Sequence, residues 1–447
     1  MARAKKEAAL TPEERLQAAL VPDWEWPYKL PGNWCWTYLT KAAECLDNFR
    51  KPINATERAG RNGNVPYYGA TGQVGWIDDF LTDEDLVLLG EDGAPFLDLI
   101  KDKAYLITGK AWVNNHAHIL RSLFGDTGNR YLLHYLNSFN YAGYVNGTTR
   151  LKLTQASMDT IPIPLPPLAE QQRIVDRIES LFAKLDEAKE KAQAVVDSFE
   201  TRKAAILHKA FTGELTAKWR EEHDVGMESW EQCSLSDVCT VNPKKADTKD
   251  LPDELEVSFF PMPALSEIYG EITDPQTRLL KEVRSGFTNF SEGDVVFAKI
   301  TPCMENGKSA VVGKLVNDIG YGTTEFFVLR CSDRLYNRFL YHLVRDKLFR
   351  DKAKAVMTGA VGQQRVPKRY LETYKLNLPK FNEQREIVRI LDGFFAREQS
   401  AKEAAEAVLD QIELMKKSIL ARAFRGELGT NDPNEESAVE LLKRTIL

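Results

Sequence analysis

An internal duplication constrains the fold of this 447-residue chain more than any other feature of its sequence. Leu165-Pro166 aligns with Leu378-Pro379 at an offset of 213 residues, and the alignment continues without gaps as far as Leu215 and Leu428. Roughly half of the residues from 165 to 215 are identical to their counterparts in the second copy. A match of this length and density indicates that the chain contains two related halves.

Each copy of the repeat has the apolar periodicity of a long helix. Apolar residues recur at alternating spacings of four and three, the pattern of a coiled-coil seam. A proline precedes each copy and a glycine follows it, as is typical of helix ends. The sequence predicts helices near 168–211 and 381–424, some forty residues each, or roughly 60 Å. The seam residues are Ile174, Ile178, Leu181, Leu185, Ala188, Ala192, Val195 and Phe199, then Ile387, Leu391, Phe394, Ala401, Ala405, Val408, Ile412, Met415 and Ile419, with Glu398 as a polar interruption.

The duplication also predicts how the two helices pack. Two like halves of one chain close most simply around a pseudo-twofold axis, which makes the helices antiparallel. The alternative is two unrelated amphipathic helices that belong to separate cores.

The segments between the helices are rich in Gly, Pro, aromatic and β-branched residues. Asp85–Leu89 and Asp294–Ala298 are each typical of a buried strand that opens into a loop, yet the two interiors barely align. We therefore predict a mixed α/β (α+β) fold with two diverged domains and two long antiparallel coiled-coil helices. The predicted parts are an N-terminal helical segment at 1–21, a first domain at 22–165, a central helical spacer at 166–228, a second domain at 229–378, a C-terminal helical spacer at 379–428 and a tail at 429–447.

Composition limits the class of protein. Hydrophobic residues make up 43% and charged residues 28%, as in ordinary globular proteins. The net charge of −6 disfavours a nucleic-acid partner unless positive charge is concentrated locally. No apolar run approaches the roughly 18 residues that span a bilayer, and no export signal follows the basic Met1–Glu7. The six cysteines form no C-x-x-C pair, which disfavours disulfides and zinc and favours the reducing cytoplasm.

Two segments partly match catalytic motifs. Asn306-Gly307-Lys308-Ser309 is similar to the end of a phosphate-binding loop, but Pro302 stands where the first glycine belongs. Asn64-Val65-Pro66-Tyr67 is similar to the Asn-Pro-Pro-Tyr motif of adenine methyltransferases, but Val65 replaces a proline and no glycine-rich cofactor segment precedes it. A recognition hairpin is the better interpretation of the second segment.

Two further groups of residues are incomplete as metal or nuclease sites. His116-x-His118 has no third ligand at metal-binding spacing, which favours an ordinary strand or loop pair. Asp294 and Lys299 lack the second carboxylate that nuclease chemistry needs. The sequence therefore predicts no catalytic residue, no metal site and no cofactor.

Several motifs accompany the repeat in a fixed order. With them the chain resembles, over nearly its whole length, the specificity subunit of a type I restriction-modification system. The motifs are Val65-Pro66-Tyr67-Tyr68-Gly69-Ala70-Thr71-Gly72, Gly293–Cys303, Glu305-Asn306-Gly307-Lys308, Met357-Thr358-Gly359, Gly362-Gln363-Gln364-Arg365-Val366, and the Leu-Pro, Glu-Gln, Ile-Val and Gly-Glu-Leu sequences shared by both helical repeats.

The resemblance implies two target-recognition domains that each read one half of a split, asymmetric site on double-stranded DNA. It implies that the helices set the spacer and dock two methyltransferase subunits, and that restriction subunits join the larger complex. Adenine methylation and DNA cleavage then reside in those partners. Two other classes stay open: a fused restriction-methylation enzyme, which needs the missing motifs, and a coiled-coil adaptor that binds only proteins.

Polar and basic loop residues are the candidates for DNA contact, because polar side chains read base edges while Arg and Lys hold phosphates. The strongest local basic excess lies between Arg345 and Arg369. The alternative for each candidate is an ordinary solvated loop position. The first-domain candidates are Tyr67, Tyr68, Thr71, Asn114, Asn115, His116, Asn146, Thr148, Thr149 and Arg150, and the second-domain candidates are Lys299, Thr301, Asn306, Lys308, Lys352, Thr358, Gln363, Gln364, Arg365, Lys368 and Arg369.

Apolar helix residues at or beyond the end of the seam are the candidates for binding the methyltransferase subunits. The alternative is that they pack against the chain's own domains. These residues are Val175, Leu207, Ala210, Phe211, Val388, Leu420, Ala423 and Phe424.

Overall fold

The computed structural model describes residues 11–267 and 270–446. It divides into two compact units, the first formed by the residues up to Gln193 together with those from Glu406, and the second by Ala194–Ala405. The predicted mixed α/β class, with two domains and long helices, is confirmed. The first ten residues of the predicted N-terminal segment lie outside the described residues. No helix within the described ranges is long and apolar enough to cross a membrane.

The helices are mostly short, apart from those of the repeat. In chain order they are α1 (Pro12–Ala19), α2 (Leu39–Ala42), α3 (Ala55–Ala59), α4 (Gly125–Ser138), α5 (Gln155–Asp159), α6 (Leu168–Asp197), α7 (Phe199–Thr212), α8 (Ala217–Glu222), α9 (Leu280–Val283), α10 (Asn337–Arg345), α11 (Lys347–Ala355), α12 (Lys368–Thr373), α13 (Phe381–Phe424) and α14 (Ala438–Ile446).

The strands within the described residues fall into two sets of ten. The first set is β1 (Cys35–Tyr38), β2 (Ala43–Cys45), β3 (Val65–Gly69), β4 (Gly72–Ile77), β5 (Thr82–Asp83), β6 (Leu86–Gly90), β7 (Ala104–Ile107), β8 (Lys110–Val113), β9 (Ala117–Ser122) and β10 (Pro162–Leu165). The second set is β11 (Glu231–Ser234), β12 (Cys239–Val241), β13 (Glu256–Phe260), β14 (Gln276–Leu279), β15 (Thr288–Phe290), β16 (Val295–Ala298), β17 (Ser309–Val311), β18 (Gly320–Gly322), β19 (Phe326–Cys331) and β20 (Lys375–Leu378).

The first unit contains two four-stranded sheets, with strand orders β2-β9-β6-β7 and β4-β3-β8-β5. Strands β3 and β8 run parallel, whereas the other neighbours are antiparallel. A separate ladder joins β1 to β10 and pairs Cys35 with Leu165. The start of the domain therefore meets its end immediately before α6.

The second unit repeats this topology strand for strand. Its sheets have the orders β12-β19-β16-β17 and β14-β13-β18-β15, its parallel pair is β13 with β18, and its closing ladder joins β11 to β20. Each strand number exceeds that of its counterpart by ten. The duplication therefore extends through the interiors whose sequences barely align.

The two predicted buried strands lie inside the sheets of their units. In the first unit, Val87 and Leu89 on β6 face the helix α4, while Leu86 and Leu88 face the β8 side of the core. Because β6 is covered on both faces, it is apolar at every position instead of alternating. The strand β16 is buried at every position for the same reason.

Each unit contains a segment of both long helices, packed antiparallel as predicted. In the first unit Asp186 pairs with Lys416 at 2.5 Å and Lys189 with Glu413 at 2.6 Å. In the second unit Arg202 pairs with Glu398 at 2.7 Å. In the first unit, three residues forward on α6 correspond to three residues back on α13, which defines the antiparallel direction.

Two details of the helix prediction need correction. The helix predicted at 168–211 is divided at Ser198 into α6 and α7, although the Ser198 amide still donates to the Ala194 carbonyl at 3.1 Å and the Ser198 hydroxyl donates to the same carbonyl. The second seam is also less continuous than predicted, because Val408 and Met415 are 41% and 47% exposed. The glycines that end the repeat, Gly213 and Gly426, adopt the expected left-handed conformation, with φ of 85° and 74°.

Residues common to both copies of the repeat hold the ends of the helix pair. The Glu383 carboxylate, 1% exposed, accepts from the Thr216 hydroxyl at 2.7 Å, the Arg220 guanidinium at 2.7 Å and the Trp230 indole at 3.0 Å. In the first unit, Glu170 accepts from the Thr430 hydroxyl at 2.6 Å. The glutamate that starts one long helix is therefore bonded to a threonine that follows the end of the other.

A second duplicated contact ties each domain to its helix. Arg338 and His342, one turn apart on α10, both bind the Asp392 carboxylate, at 3.0 and 2.9 Å. In the first unit Arg130 on α4 binds Glu179 at 2.9 Å. These positions are related by fixed offsets between the units, although the rest of the domain sequences diverge.

Candidate nucleic-acid interface

A short hairpin in the second unit brings together candidates that are far apart in the sequence. Thr358 and Arg365 exchange two main-chain hydrogen bonds, of 3.0 and 2.8 Å, and residues 359–364 form the tip. The returning strand is bonded to the loop after β16, because the Thr301 amide donates to the Gln364 carbonyl at 3.0 Å and the Val366 amide donates to the Lys299 carbonyl at 2.9 Å. The structure therefore brings two candidate loops together in one site, namely Lys299 and Thr301 of the first loop with Thr358, Gln364 and Arg365 of the hairpin. The sequence had predicted these residues only as separate loop positions.

The base of this hairpin is held by an ion pair. The Arg365 guanidinium makes two hydrogen bonds of 2.9 Å to the Glu325 carboxylate. These bonds hold the pKa of Glu325 below its usual range. Arg365 is thus occupied at the base of the hairpin, whereas Gln363 on the tip is exposed.

The neighbouring loop of the second unit carries the remaining polar candidates. The Asn306 amide donates to Glu267 at 3.1 Å, Lys308 lies 3.6 Å from the same carboxylate, and the Thr301 hydroxyl donates to Glu305 at 3.2 Å. Cations flank the hairpin on both sides, since Lys352 lies on α11 and Lys368 and Arg369 begin α12. Lys352 and Arg369 are exposed, and Lys368 pairs with Glu372 at 2.8 Å.

The first unit contains an equivalent hairpin. Asn146 and Lys152 exchange main-chain hydrogen bonds of 2.9 and 2.8 Å around a tip that includes Thr148, Thr149 and Arg150. The Gly93 amide donates to the Leu151 carbonyl at 3.0 Å, and the Leu153 amide donates to the Glu91 carbonyl at 2.7 Å. These two bonds correspond to those that attach the second hairpin to its own loop.

The backbone correspondence continues into a third segment. The Glu91 amide donates to the His116 carbonyl at 2.8 Å, and the Lys299 amide donates to the Glu325 carbonyl at 2.9 Å. Each hairpin also has a glycine at the first tip position with a positive φ, 112° at Gly147 and 124° at Gly359. The two hairpins therefore share one hydrogen-bonded frame, which carries different side chains in the two units.

The other candidates of the first unit lie around this frame. His116 and Arg150 both approach Asp92, at 2.7 and 2.6 Å. Thr71 is exposed in the turn between β3 and β4, and Asn115 is exposed beside His116. Tyr68 is half-buried and its ring lies 5.8 Å from that of Tyr105.

Two first-unit candidates are buried within the domain and are not available at its surface. Tyr67 is 1% exposed, and its ring belongs to the core beside Trp112. Asn114 is 8% exposed, and its side-chain oxygen accepts from the His116 amide at 2.8 Å. We leave both out of the interface proposed below, because neither side chain is free to contact a ligand.

His118 belongs to a polar network that supports the first hairpin from inside. Its Nδ1 lies 2.7 Å from the Asp47 carboxylate and its Nε2 lies 3.0 Å from the carbonyl of Leu153, directly after the hairpin. Arg50 binds the same carboxylate at 2.9 Å. Cys45 lies close to Asp47 and His118 in a grouping that could accept a metal. Because Arg50 already supplies a positive charge there, the donor set fits a structural network better than a cation site.

Sequence reasoning missed the acidic partners Glu91, Asp92 and Glu325, as well as Lys152. A polar residue next to a diverged loop carries no signal of its own in a single sequence. The two frames are recognised as equivalent from their matching strand orders and main-chain hydrogen bonds, which a single sequence does not show.

The predicted partner-binding residues are mostly buried within their own units. Val175, Leu207, Val388, Leu420 and Phe424 are each at most 8% exposed and belong to the cores of their own units. Phe211 is half-buried, with its ring 5.4 Å from that of Phe339. These side chains therefore pack within their own units, as the intramolecular alternative describes, and their part in partner docking stays a prediction.

Comparisons with known proteins agree with this geometry. Residues 46–196 and 227–409 match the family described as the type I restriction modification DNA specificity domain. One match falls on each of the duplicated halves, and together they cover most of the chain. The duplicated fold and the two family matches thus define a class with two DNA specificity domains in a single chain. The chain belongs to the type I restriction modification DNA specificity domain family.

Two proteins of similar sequence are named as type I restriction enzyme specificity subunits. The chain is 33% identical over 259 residues to the type I restriction enzyme EcoEI specificity subunit of Escherichia coli, an alignment that covers 48% of this chain and 43% of that protein. It is 25% identical over 382 residues to a Haemophilus influenzae protein named as a putative type I restriction enzyme specificity subunit, covering 83% of this chain and 90% of the relative. The chain therefore spans less than half of the EcoEI protein but most of the second relative.

Two solved structures share the fold. One belongs to a structural study of complex assembly and conformational transition of the type I R-M system. Its TM-score is 0.62 at 18% identity, and the alignment covers 90% of this chain and 100% of that chain. The other is the HsdS subunit from Thermoanaerobacter tengcongensis, with a TM-score of 0.56, 19% identity and the same coverage.

Proposed function

We propose that this chain reads a divided DNA sequence, one half with each hairpin, as the specificity subunit of a type I restriction-modification complex. The observation that carries the proposal is the shared hydrogen-bonded frame of the two hairpins. A frame that stays constant while its side chains change is what two readers of different sequences require, because base edges are distinguished by the side chains presented to them. Family membership supports the same function.

The charges around the hairpins suit this role in spite of the net charge of −6. Lys352, Lys368 and Arg369 flank the second hairpin, and Arg150 lies on the tip of the first. The exposed Lys352 and Arg369 would hold phosphates and orient the duplex, and Arg150 and Lys368 would do so by exchanging Asp92 and Glu372 for phosphate oxygens. Thr148 and Gln363 would face the bases. Arg365 would act mainly by fixing the base of its hairpin.

The proposed partners are double-stranded DNA, two methyltransferase subunits and restriction subunits. Methylation and cleavage would take place in these subunits, and the chain itself would supply no catalytic group. Purified chain incubated with S-adenosylmethionine, ATP, magnesium and DNA should therefore neither methylate nor cleave. We also place the chain in the cytoplasm, which its six free cysteines support.

The proposal is tested by selecting DNA from a random-sequence pool. The chain, co-expressed with its methyltransferase subunits, is expected to enrich two short sequences separated by a gap of fixed length. The same subunits prepared without the chain are the control. A coiled-coil adaptor would assemble with its partners but enrich no sequence, and that result would refute DNA reading.

A further inference from the structure

The tip of the second hairpin carries an apolar side chain that nothing in the described structure covers. Val361 is 99% exposed. It lies between Gly359 and Gly362, which adopt φ of 124° and 81°, and the turn is closed by a hydrogen bond of 2.9 Å from the Gln363 amide to the Ala360 carbonyl. The small residues around Val361 leave it accessible from several directions.

The tip is attached to a fixed base. The two main-chain bonds between Thr358 and Arg365 close the hairpin, and those from Thr301 and Val366 attach it to the neighbouring loop. The paired bonds between Arg365 and Glu325 add a third attachment. Val361 is therefore presented by a constrained hairpin, which lowers the entropy lost when it contacts a ligand.

Exposure of one apolar residue is common on protein surfaces and does not by itself indicate a site. The comparison between the units is more informative. The first hairpin presents Thr148, Thr149 and Arg150 from the equivalent frame, all of them exposed and polar. Of two tips in equivalent positions, the first thus presents three exposed polar side chains, whereas the second adds an exposed apolar side chain to the polar Gln363.

We propose that Val361 reads a thymine through its 5-methyl group, in the half-site bound by the second unit. This inference rests on the proposed function. In the major groove, thymine is the base whose edge presents a methyl group, and small apolar side chains are suited to contact it. Gln363, two residues further on, is placed to hydrogen-bond a neighbouring base edge.

A protein occupant is the less suitable explanation. A specific protein interface needs a cluster of large apolar or aromatic anchors and several hundred square ångströms on each side. Val361 has only Ala360 and two glycines beside it in the tip. A single methyl group on a base edge matches the size of this contact.

The test uses the co-expressed complex and the DNA sequence that it selects. Each thymine of that sequence is replaced in turn by deoxyuridine, which removes only the methyl group. One replacement, in one half-site, is expected to weaken binding about fourfold, the effect of one buried methyl group. With Val361→Ser the thymine and deoxyuridine duplexes should bind equally. Val316→Ser, an exposed valine outside the hairpin, should keep the wild-type difference.

The possible results separate the inference from the proposed function. If a gapped sequence is selected but no thymine replacement weakens binding, or if Val361→Ser leaves the difference intact, the thymine contact is wrong while DNA reading stands. The same holds if the half-site lost with hairpin variants contains no thymine. If no sequence is selected at all, the proposed function fails first.

Discussion

Buried carboxylates lie at the starts of the two long helices, Glu170 on α6 and Glu383 on α13. Each serves as acceptor for donors that come from distant parts of the chain. Burying a charge is favourable only where it is paired and hydrogen-bonded. Loss of such a residue therefore leaves buried donors unsatisfied, in contrast to loss of a surface charge.

Replacing Glu383 by Ala should destabilise the second unit by about 3–5 kcal/mol, because the buried Arg220 then lacks its counter-ion. Glu222→Ala is the matched control. Glu222 lies 3.8 Å from the exposed Lys218 in a surface pair, and its loss should cost less than about 1 kcal/mol. Denaturant unfolding of the full chain measures both, and equal effects would contradict the role given to Glu383.

His342 should make stability depend on pH. Burial lowers the pKa of His342 in the folded chain, and the Asp392 carboxylate only partly opposes this. The unfolded chain therefore binds more protons below its ordinary pKa of about 6.5, so stability is lost as the pH falls through that value. The slope should reach at most about 1.4 kcal/mol per pH unit.

The variant that tests this is His342→Gln, with Ser400→Ala on the neighbouring helix as the control. Melting temperatures recorded between pH 7 and pH 5 should fall less steeply in His342→Gln than in the wild type or the control. Parallel slopes in all three proteins would show that His342 does not contribute.

In the proposed function the hairpins read the DNA, and each has a glycine of positive φ at its first tip position. A Cβ at Gly359 would lie 2.9 Å from the Gln363 carbonyl oxygen, in a backbone conformation that side chains rarely adopt. Gly359→Ala should strain the hairpin by about 1–3 kcal/mol and relax one half of the selected sequence. Gly313→Ala meets no atom within 4 Å and should leave selection unchanged. Loss of both halves in Gly359→Ala would contradict local action.

The repeated elements could be predicted from sequence because their physical constraints recur. A helix imposes its periodicity at every turn, so the bounds 381–424 matched α13 to the residue. Glycine stops at Gly213 and Gly426 follow from a backbone conformation that only glycine adopts easily. The division at Ser198 was not predictable in this way, because it affects a single residue within an otherwise continuous apolar periodicity.

The candidate site was predictable only in part. Polar loops and the local basic excess identified the second hairpin, but exposure could not be inferred for Tyr67, whose strand alternates between the core and the surface. The docking assignment stays a prediction, and the structure adds that Val175, Leu420 and Phe424 are buried in the core of their own unit. Helical periodicity shows which face of a helix is apolar, but not which surface that face contacts.

At the scale of the whole molecule, we propose that the long helices set the distance between the two half-sites. Both helices pass from one unit into the other, near Gln193 and Ala405. Because the segments are paired antiparallel, four residues should be inserted at both points to preserve the pairing. The gap in the selected sequence should lengthen by about 6 Å, or roughly two base pairs. Insertion in one helix alone should impair assembly, and altered bases with an unchanged gap would refute the role of the helices.

The central claim, that equivalent hairpins each read one half of the sequence, is tested most directly by mapping the selected DNA sequence for Thr148→Ala and Gln363→Ala in the assembled complex. Each variant should lose base preference in one half only, at about 1–3 kcal/mol per lost contact, and the two variants should affect opposite halves. If both variants relax the same half, or if neither changes the selected sequence, the assignment of one hairpin to each half-site is wrong.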